Sequence, residues 1–110
     1  MAGRVEIARG DIWTYEFRRP DKRRPVLVLS RPEAIAVLHT VIVAPITSTI
    51  RGLPSEVGVG TAEGLKHDSA VNCDHVQTVE RARVSRYVGR LGGEKMRAVC
   101  RAIAAATGCD

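Results

Sequence analysis

The stretch from Arg24 to Ser30 constrains the fold of this chain more than any other segment. Its four consecutive apolar residues, two of them β-branched, predict a short strand that is buried on both faces. Pro25 has no N–H for a sheet ladder, so we expect it at the start of the strand, with Arg24 at the mouth. A core strand that ends in a solvated arginine is the simplest interpretation. The alternative, that the Arg24 guanidinium is fixed there to bind an anion, needs support from a second feature of the sequence.

Residues 11–17 predict another strand because their polar and apolar side chains alternate. One face carries Trp13, Tyr15 and Phe17, three of the four aromatic residues of the chain. We assign this face to the core, because so small a core can hardly spare its largest side chains. An exposed platform that stacks nucleic-acid bases is the alternative.

A second central strand is predicted over residues 41–46, which are apolar throughout. Pro45 is expected to stop its ladder and to place Thr47, Ser48 and Thr49 outside the sheet. If this strand and the Arg24–Ser30 strand are antiparallel neighbours, Arg24 meets Thr47, with Arg23 and Ser48 alongside. That arrangement supplies the second feature: a permanent cation next to a hydroxyl group.

Shorter elements are predicted along the remainder of the chain from periodicity, glycine and proline. They are a helical turn at 32–37, an edge strand at 55–59, a strand-like segment at 69–78 with a bulge or bend, a strand at 84–91 and a helix at 94–107. The helix is predicted to pack on the sheet through Met96, Val99, Cys100, Ile103 and Thr107, and Gly108 is placed to end it. Many short strands and one terminal helix predict a single domain, residues 1–110, built on a strongly curved sheet or half-open barrel.

The composition favours a globular protein with an anionic partner. The formal net charge is +5, and the sequence pI near 9.6 favours nucleic acid or an acidic protein segment. No apolar run approaches the roughly 20 residues that span a bilayer, and residues 1–10 lack the apolar centre of a signal peptide. We therefore expect a cytoplasmic protein with no membrane segment. Three cysteines without a Cys-x-x-Cys pair predict reduced thiols rather than a disulfide framework or a zinc site.

Positive charge is concentrated between the first two predicted strands. Five cations lie within seven residues: Arg18, Arg19, Lys22, Arg23 and Arg24. A solvated turn and a phosphate-binding segment explain such a run equally well, and only geometry can separate them.

Several segments, taken in order, resemble one known family. They are residues 9–13, 24–30 and 40–48, Leu53-Pro54, Gly64-Leu65-Lys66, and Asp74 through Thr78. Their order and spacing, over about residues 8–108, resemble the MazF/PemK family of ribosome-independent endoribonuclease toxins from bacterial toxin–antitoxin pairs. The chain departs from the family pattern at His75, where glutamine is common, and in the segments before Arg24 and after Ser30. We therefore carry over no sequence preference.

The resemblance implies a mainly β fold with α structure: an SH3-like, PemK/CcdB-type small curved β-barrel with a C-terminal helix. It also implies a homodimer with cleavage sites at its interface, and it places the catalytic arginine on Arg24 and the catalytic threonine on Thr47. The residues expected to bind single-stranded RNA are Arg18, Arg19, Lys22, Arg23, Ser48, Thr49, His75 and Gln77. The expected partners are RNA and a cognate antitoxin with an acidic, partly disordered segment that competes with RNA.

The implied reaction is attack of an RNA 2′-hydroxyl on its neighbouring phosphorus, which leaves a 2′,3′-cyclic phosphate and a 5′-hydroxyl. No cofactor is expected, and no carboxylate cluster suggests a metal. His75 is the nearest candidate for the base, although a base-contacting role without proton transfer is the preferred interpretation. Two other classes stay open: a non-catalytic SH3-like binding module, and a gyrase inhibitor like the toxin CcdB, which shares the fold.

Overall fold

The computed structural model describes residues 6–18 and 23–109. Arg19 and Lys22 of the basic segment lie outside these residues. The strands are β1 (Asp11–Glu16), β2 (Arg23–Val28), β3 (Thr40–Thr47), β4 (Glu56–Val59), β5 (Ser69–Asn72), β6 (Gln77–Glu80) and β7 (Val84–Arg90). The helices are α1 (Pro32–Val37) and α2 (Gly93–Thr107), and short 3₁₀ turns cover Thr61–Glu63, Cys73–His75 and Arg81–Arg83.

The seven described strands form one antiparallel sheet in the order β4-β5-β3-β2-β1-β7, with β6 paired to the first half of β3. Strands β4 and β7 end this order, so the sheet is not closed into a full barrel. The open sheet with its C-terminal helix α2 confirms the predicted fold class. None of the helices in the described ranges has the length and apolar character needed to cross a lipid bilayer.

Strand β2 is buried on both faces, as its sequence predicts. Val26 and Val28 pack with Trp13 and Tyr15 on one side of the sheet. Leu27 belongs to a second cluster on the other side, which α2 covers. Val26, Leu27 and Val28 are each 0% exposed, so the second half of β2 lies in the centre of the core. The aromatic face of β1 is a core face at Trp13 and Tyr15, each 5% exposed.

The prediction that Pro45 ends its strand is wrong. Strand β3 continues to Thr47, and Ile46 and Thr47 pair with β5. The physical reason is a change of partner: β6 pairs with β3 as far as Val43, and the pairing of β3 with β5 starts at Ile46. Pro45 lies between these two ladders, where its missing N–H is tolerated. Thr47 is therefore held by the sheet rather than released from it.

The bulge or bend predicted in the 69–78 segment is a 3₁₀ turn, Cys73–His75. Asn72 caps this turn, because its Oδ1 accepts a hydrogen bond of 3.0 Å from the Asp74 N–H. The turn separates β5 from β6, so the segment supplies two strands that pair with different parts of β3.

The C-terminal helix has the predicted extent, but part of its predicted core face is wrong. Gly108 ends α2 with a left-handed φ of 72°, as expected. The buried positions are Val99 and Ala102, whereas Cys100 and Thr107 are exposed. The packing face is rotated from the predicted one, and the Cys100 Sγ instead lies 3.5 Å from the Arg9 Nη2 that donates to it.

Gly89 in β7 provides a test of the packing between β7 and the 61–63 turn. A Cβ atom at this position would overlap the carbonyl oxygen of Glu63, and that backbone has no flexible end to move away. We expect Gly89→Ala to lower the free energy of unfolding by about 3 kcal/mol, as overpacking does. Gly58→Ala is the matched control, since its Cβ would meet nothing within 4 Å. Urea unfolding of both variants measures the difference, and equal stability would contradict this packing.

Candidate active site

A cavity of about 410 Å³ opens where the start of β2 and the end of β3 meet the β5–β6 connection. It is lined by Phe17, Arg24, Pro45, Ile46, Thr47, Thr49, Arg51, Asn72, His75 and Gln77. Five of these residues belong to the predicted site: Arg24, Thr47, Thr49, His75 and Gln77. The fold therefore gathers in one cavity these five predicted residues, which are up to 53 positions apart in the sequence.

The register of β2 and β3 explains why Arg24 and Thr47 meet. The two strands are antiparallel, and Val26 lies opposite Pro45. Arg24 lies two residues before Val26, and Thr47 lies two residues after Pro45. Because the strands are antiparallel, both residues lie at the same end of the β2–β3 pair. Arg24 also lies opposite Tyr15 of β1, so its backbone is held by a neighbouring strand. The antiparallel arrangement that the sequence left conditional is the one found.

The hydroxyl of Thr47 already accepts one hydrogen bond. Its Oγ1 accepts a hydrogen bond of 3.0 Å from the backbone N–H of Thr49. A hydroxyl can accept and donate at the same time. The bond to Thr49 therefore fixes the oxygen and leaves the proton of Thr47 available to a group in the cavity.

Three of the predicted RNA-binding residues that the structure describes do not line the cavity. Ser48 and Arg18 are exposed side chains outside it. The Nε of Arg23 lies 3.4 Å from Glu16 Oε2 across the β1–β2 pair, where both side chains are more than half exposed. Such an exposed ion pair contributes little to stability. The geometry therefore separates Arg24, which faces the cavity, from its neighbour Arg23, which does not line it.

Sequence reasoning missed Phe17, Arg51 and Asn72 as cavity residues. Phe17 was assigned to the core and does contact Tyr15, with ring centroids 4.8 Å apart in an edge-on arrangement, but it also lines the cavity. Asn72 lies in the 69–78 segment, for which the sequence predicts only a bulge or bend. Arg51 carried no sequence signal, because its position depends on how the loop between β3 and β4 folds.

The described lining of the cavity is cationic. Arg24 and Arg51 bring two guanidinium groups, His75 brings an imidazole, and none of the described lining residues is acidic. The hydroxyl and amide groups of Thr47, Thr49, Asn72 and Gln77 add hydrogen-bonding capacity. Arginine stays protonated under all physiological conditions, so this cavity suits a phosphate group.

Cys73 lies next to the cavity in the Cys73–His75 turn but is not suited to act as a nucleophile. Burial, with the nearby Asp74 carboxylate and the Cys100 thiol, raises the pKa of Cys73 to about 11. The thiol is therefore neutral at physiological pH, and only a thiolate is strongly nucleophilic. Within residues 6–18 and 23–109, no group of three or more His, Cys, Asp or Glu side chains is placed to hold a metal ion.

An open antiparallel sheet with a cationic, hydroxyl-bearing cavity at one strand end is an arrangement suited to an anionic ligand. Comparison with known proteins identifies the family. Residues 8–107 match the family described as PemK-like, MazF-like toxin of type II toxin–antitoxin system. The chain belongs to this family.

Close relatives come from mycobacteria. The chain is 45% identical to the probable endoribonuclease MazF5 of Mycobacterium tuberculosis over 104 residues, which cover 94% of each protein. It is 42% identical to the M. tuberculosis endoribonuclease MazF3, over 82% of this chain and 87% of that protein. Among solved structures, it is similar to the M. tuberculosis toxin MazF-mt6, with 39% identity, a TM-score of 0.84, and coverage of 91% of this chain and 98% of that chain.

A more distant structure supports the fold alone. A mycobacterial endoribonuclease solved in complex with its cognate antitoxin superposes with a TM-score of 0.85 at 23% identity. The superposition covers 94% of this chain and 97% of that chain. The sheet order and the C-terminal helix are therefore shared well beyond the range of close sequence similarity.

Proposed function

We propose that this protein is a ribosome-independent endoribonuclease toxin that cleaves single-stranded RNA at the cavity between β2, β3 and the β5–β6 connection. The observation that carries this proposal is the convergence of Arg24 and Thr47 on one cavity without acidic groups among its described lining residues. Membership of the MazF-like toxin family and the endoribonuclease names of two relatives support it.

In the proposed reaction, the 2′-oxygen of a ribose attacks the adjacent phosphorus. The bond from O2′ to phosphorus forms as the bond from phosphorus to O5′ breaks, which leaves a 2′,3′-cyclic phosphate. The 2′-hydroxyl proton passes to a base, and the departing O5′ gains a proton to become a 5′-hydroxyl. The reaction consumes no water and no cofactor.

The proposed role of Arg24 is to stabilise the charge that develops on the non-bridging oxygens of the phosphorus. A guanidinium can donate two parallel hydrogen bonds to a phosphate, and these bonds are charge-assisted. Arginine does not release its proton at physiological pH, so Arg24 does not serve as the base. Thr47 donates one further hydrogen bond with the proton that its contact to Thr49 leaves available.

We propose that Thr49, His75 and Gln77 bind the nucleotides around the cleaved bond, because all three line the cavity. Ser48, Arg18 and Arg23 are proposed to contact RNA only outside the cavity. The Nε of Arg23 is engaged by Glu16, so the terminal N–H groups of its guanidinium would make such a contact. The acidic segment of a cognate antitoxin is proposed to occupy the same cationic surface and to exclude RNA. A homodimer in the cytoplasm, with two equivalent sites, completes the proposal.

Deoxy substitution and chelation test the proposed chemistry. We expect an RNA oligonucleotide with a single 2′-deoxynucleotide at the cleaved position to stay intact at that bond, because the nucleophile is absent. We expect cleavage of the all-ribose oligonucleotide to continue in excess EDTA, because Arg24 and Thr47 stabilise the transition state without a metal ion. Gel electrophoresis of end-labelled oligonucleotides reads both results. Intact RNA together with inhibited DNA gyrase supercoiling would favour the gyrase-inhibitor class instead.

His75→Gln tests whether this side chain transfers a proton. His75 is exposed at the end of the Cys73–His75 turn and lines the cavity, as a base-contacting residue would. We expect the substitution to change the preferred cleavage sequence, with the maximal rate reduced less than about a hundredfold, the lower end of the effect of general acid–base catalysis. Sequencing of fragment ends from a random RNA pool and single-turnover rates measure the two quantities. A larger loss of rate, with unchanged preference, would assign His75 as the base.

A further inference from the structure

The loop between β3 and β4, residues 48–55, brings a second guanidinium to the cavity. Arg51 lines the cavity, yet it is an exposed residue on a loop without secondary structure. Its guanidinium forms no ion pair with an acidic side chain of residues 6–18 or 23–109. Binding through such a loop costs less conformational entropy when the loop backbone is already held in place.

Glu56, the first residue of β4, holds this backbone. Its Oε1 accepts hydrogen bonds from the N–H groups of Arg51 at 3.0 Å, Gly52 at 2.9 Å and Leu53 at 3.4 Å. Gly52 has a φ of +72°, a left-handed conformation that glycine adopts at no steric cost and that lets the chain turn around the carboxylate. One carboxylate oxygen thus gathers three consecutive backbone donors, which is a charge-assisted arrangement.

The far end of the loop is hydrogen-bonded to the Cys73–His75 turn. The Ser55 hydroxyl donates to Asp74 Oδ2 at 2.5 Å, and the Ser55 carbonyl accepts from the Cys73 N–H at 3.0 Å. Cys73 and Asp74 belong to the turn that also carries His75. The backbone that carries Arg51 is therefore held by β4, and the end of its loop is bonded to the turn that carries His75.

We infer that Arg51 binds a phosphate next to the one being cleaved, and that Glu56 is a positioning residue that acts through Arg51. The inference rests on the proposed function, because it takes single-stranded RNA as the ligand. In that proposal Arg24 and Thr47 bind the phosphate that is cleaved. A second cation in the same cavity is therefore available to bind an adjacent phosphate of the RNA. Binding a phosphate that does not react stabilises the bound substrate and the transition state equally.

The first test separates binding from chemistry. Arg51→Ala raises KM for a single-site RNA about tenfold, the loss expected from one charge-assisted hydrogen bond, and leaves kcat within about twofold. The slope of log affinity against log salt falls by about 0.7, the value for one lost phosphate contact on a single strand. Arg97→Ala, which removes an exposed arginine of α2 outside the cavity, is the matched control and leaves KM unchanged.

A double-mutant cycle tests the role of Glu56. Glu56→Ala raises KM as Arg51→Ala does, and the double variant is no worse than either single variant, because both changes remove the same contact. Glu56→Gln keeps a side-chain oxygen that accepts from the loop, and so retains most of the affinity. Thermal unfolding of each variant checks that the sheet is intact. Additive losses in KM, or a fall in kcat alone, would overturn the positioning role.

A neutral methylphosphonate placed at each phosphate flanking the cleaved bond identifies the contact. At one flanking position, the modified RNA loses affinity for the unaltered protein, and Arg51→Ala adds no further loss. If Arg51→Ala weakens every modified RNA equally, its guanidinium reads a base edge instead, and the phosphate assignment is wrong. An unaltered KM and salt slope in Arg51→Ala, with wild-type cleavage present, overturns this inference alone. Absence of cleavage by the wild type overturns the proposed function itself.

Discussion

Arg24→Ala is expected to lower the single-turnover rate of RNA cleavage by about a hundred- to thousandfold, the cost of removing one preorganised donor at a transition state. The side chain lies at the exposed start of β2, while the buried part of that strand begins at Val26. We therefore expect little change in the thermal unfolding temperature. The loss falls on kcat, because the charge on the phosphoryl oxygens grows as the transition state forms.

Arg24→Lys separates the contribution of the positive charge from that of the two parallel hydrogen bonds. Lysine keeps the positive charge but cannot donate two parallel hydrogen bonds to one phosphate. Its rate is expected to lie between those of the wild type and Arg24→Ala. Arg97→Ala, on the exposed side of α2, serves as the charge-matched control with full activity. An Arg24→Ala protein that keeps a tenth or more of the wild-type rate would contradict the proposed role.

Thr47→Ala is expected to have the second-largest effect, again about a hundredfold in the rate of cleavage. The substitution removes the hydroxyl donor at the cavity and also the acceptor for the Thr49 N–H, which lies 3.0 Å from Thr47 Oγ1. Thr47→Ser keeps both functions and should retain a rate within about tenfold of the wild type, since the hydroxyl is preserved.

Thr47→Val separates the hydroxyl from the shape of the side chain. Valine fills a similar volume and suits a strand position, so the β3–β5 pairing at Ala70 is retained. We expect Thr47→Val to be as inactive as Thr47→Ala while it unfolds at the wild-type temperature. Rates measured with enzyme in excess of a single-site RNA give the comparison. High activity in Thr47→Val would mean that packing, rather than hydrogen bonding, explains the effect of alanine.

The central part of the site could be predicted because it depends on strand register. Two apolar runs predicted β2 and β3, and the antiparallel pairing that the sequence left conditional brings Arg24 and Thr47 to one cavity. The catalytic roles expected of these two residues came from the family resemblance. The prediction about Pro45 failed although the strand itself was identified. No pattern in the sequence of β3 indicates that its partner changes from β6 to β5 between Val43 and Ile46.

Loop residues at the site could not be predicted, because their positions depend on contacts between distant groups. Arg51 reaches the cavity through the hydrogen bonds that Glu56 makes to the loop backbone. These contacts follow no periodic pattern. The exposed position of Cys100 was missed for a related reason: periodicity defines an apolar stripe on α2, but the sheet decides which edge of the stripe is covered.

The chemical identity of the new RNA ends tests the central claim most directly. Mass spectrometry of fragments from a single-site RNA, incubated with purified protein in EDTA, reads the mass of each end. We predict one fragment that ends in a 2′,3′-cyclic phosphate and one that begins with a 5′-hydroxyl, both absent with Arg24→Ala. Fragments with a 5′-phosphate and a 3′-hydroxyl would contradict attack by the neighbouring 2′-hydroxyl at this cavity.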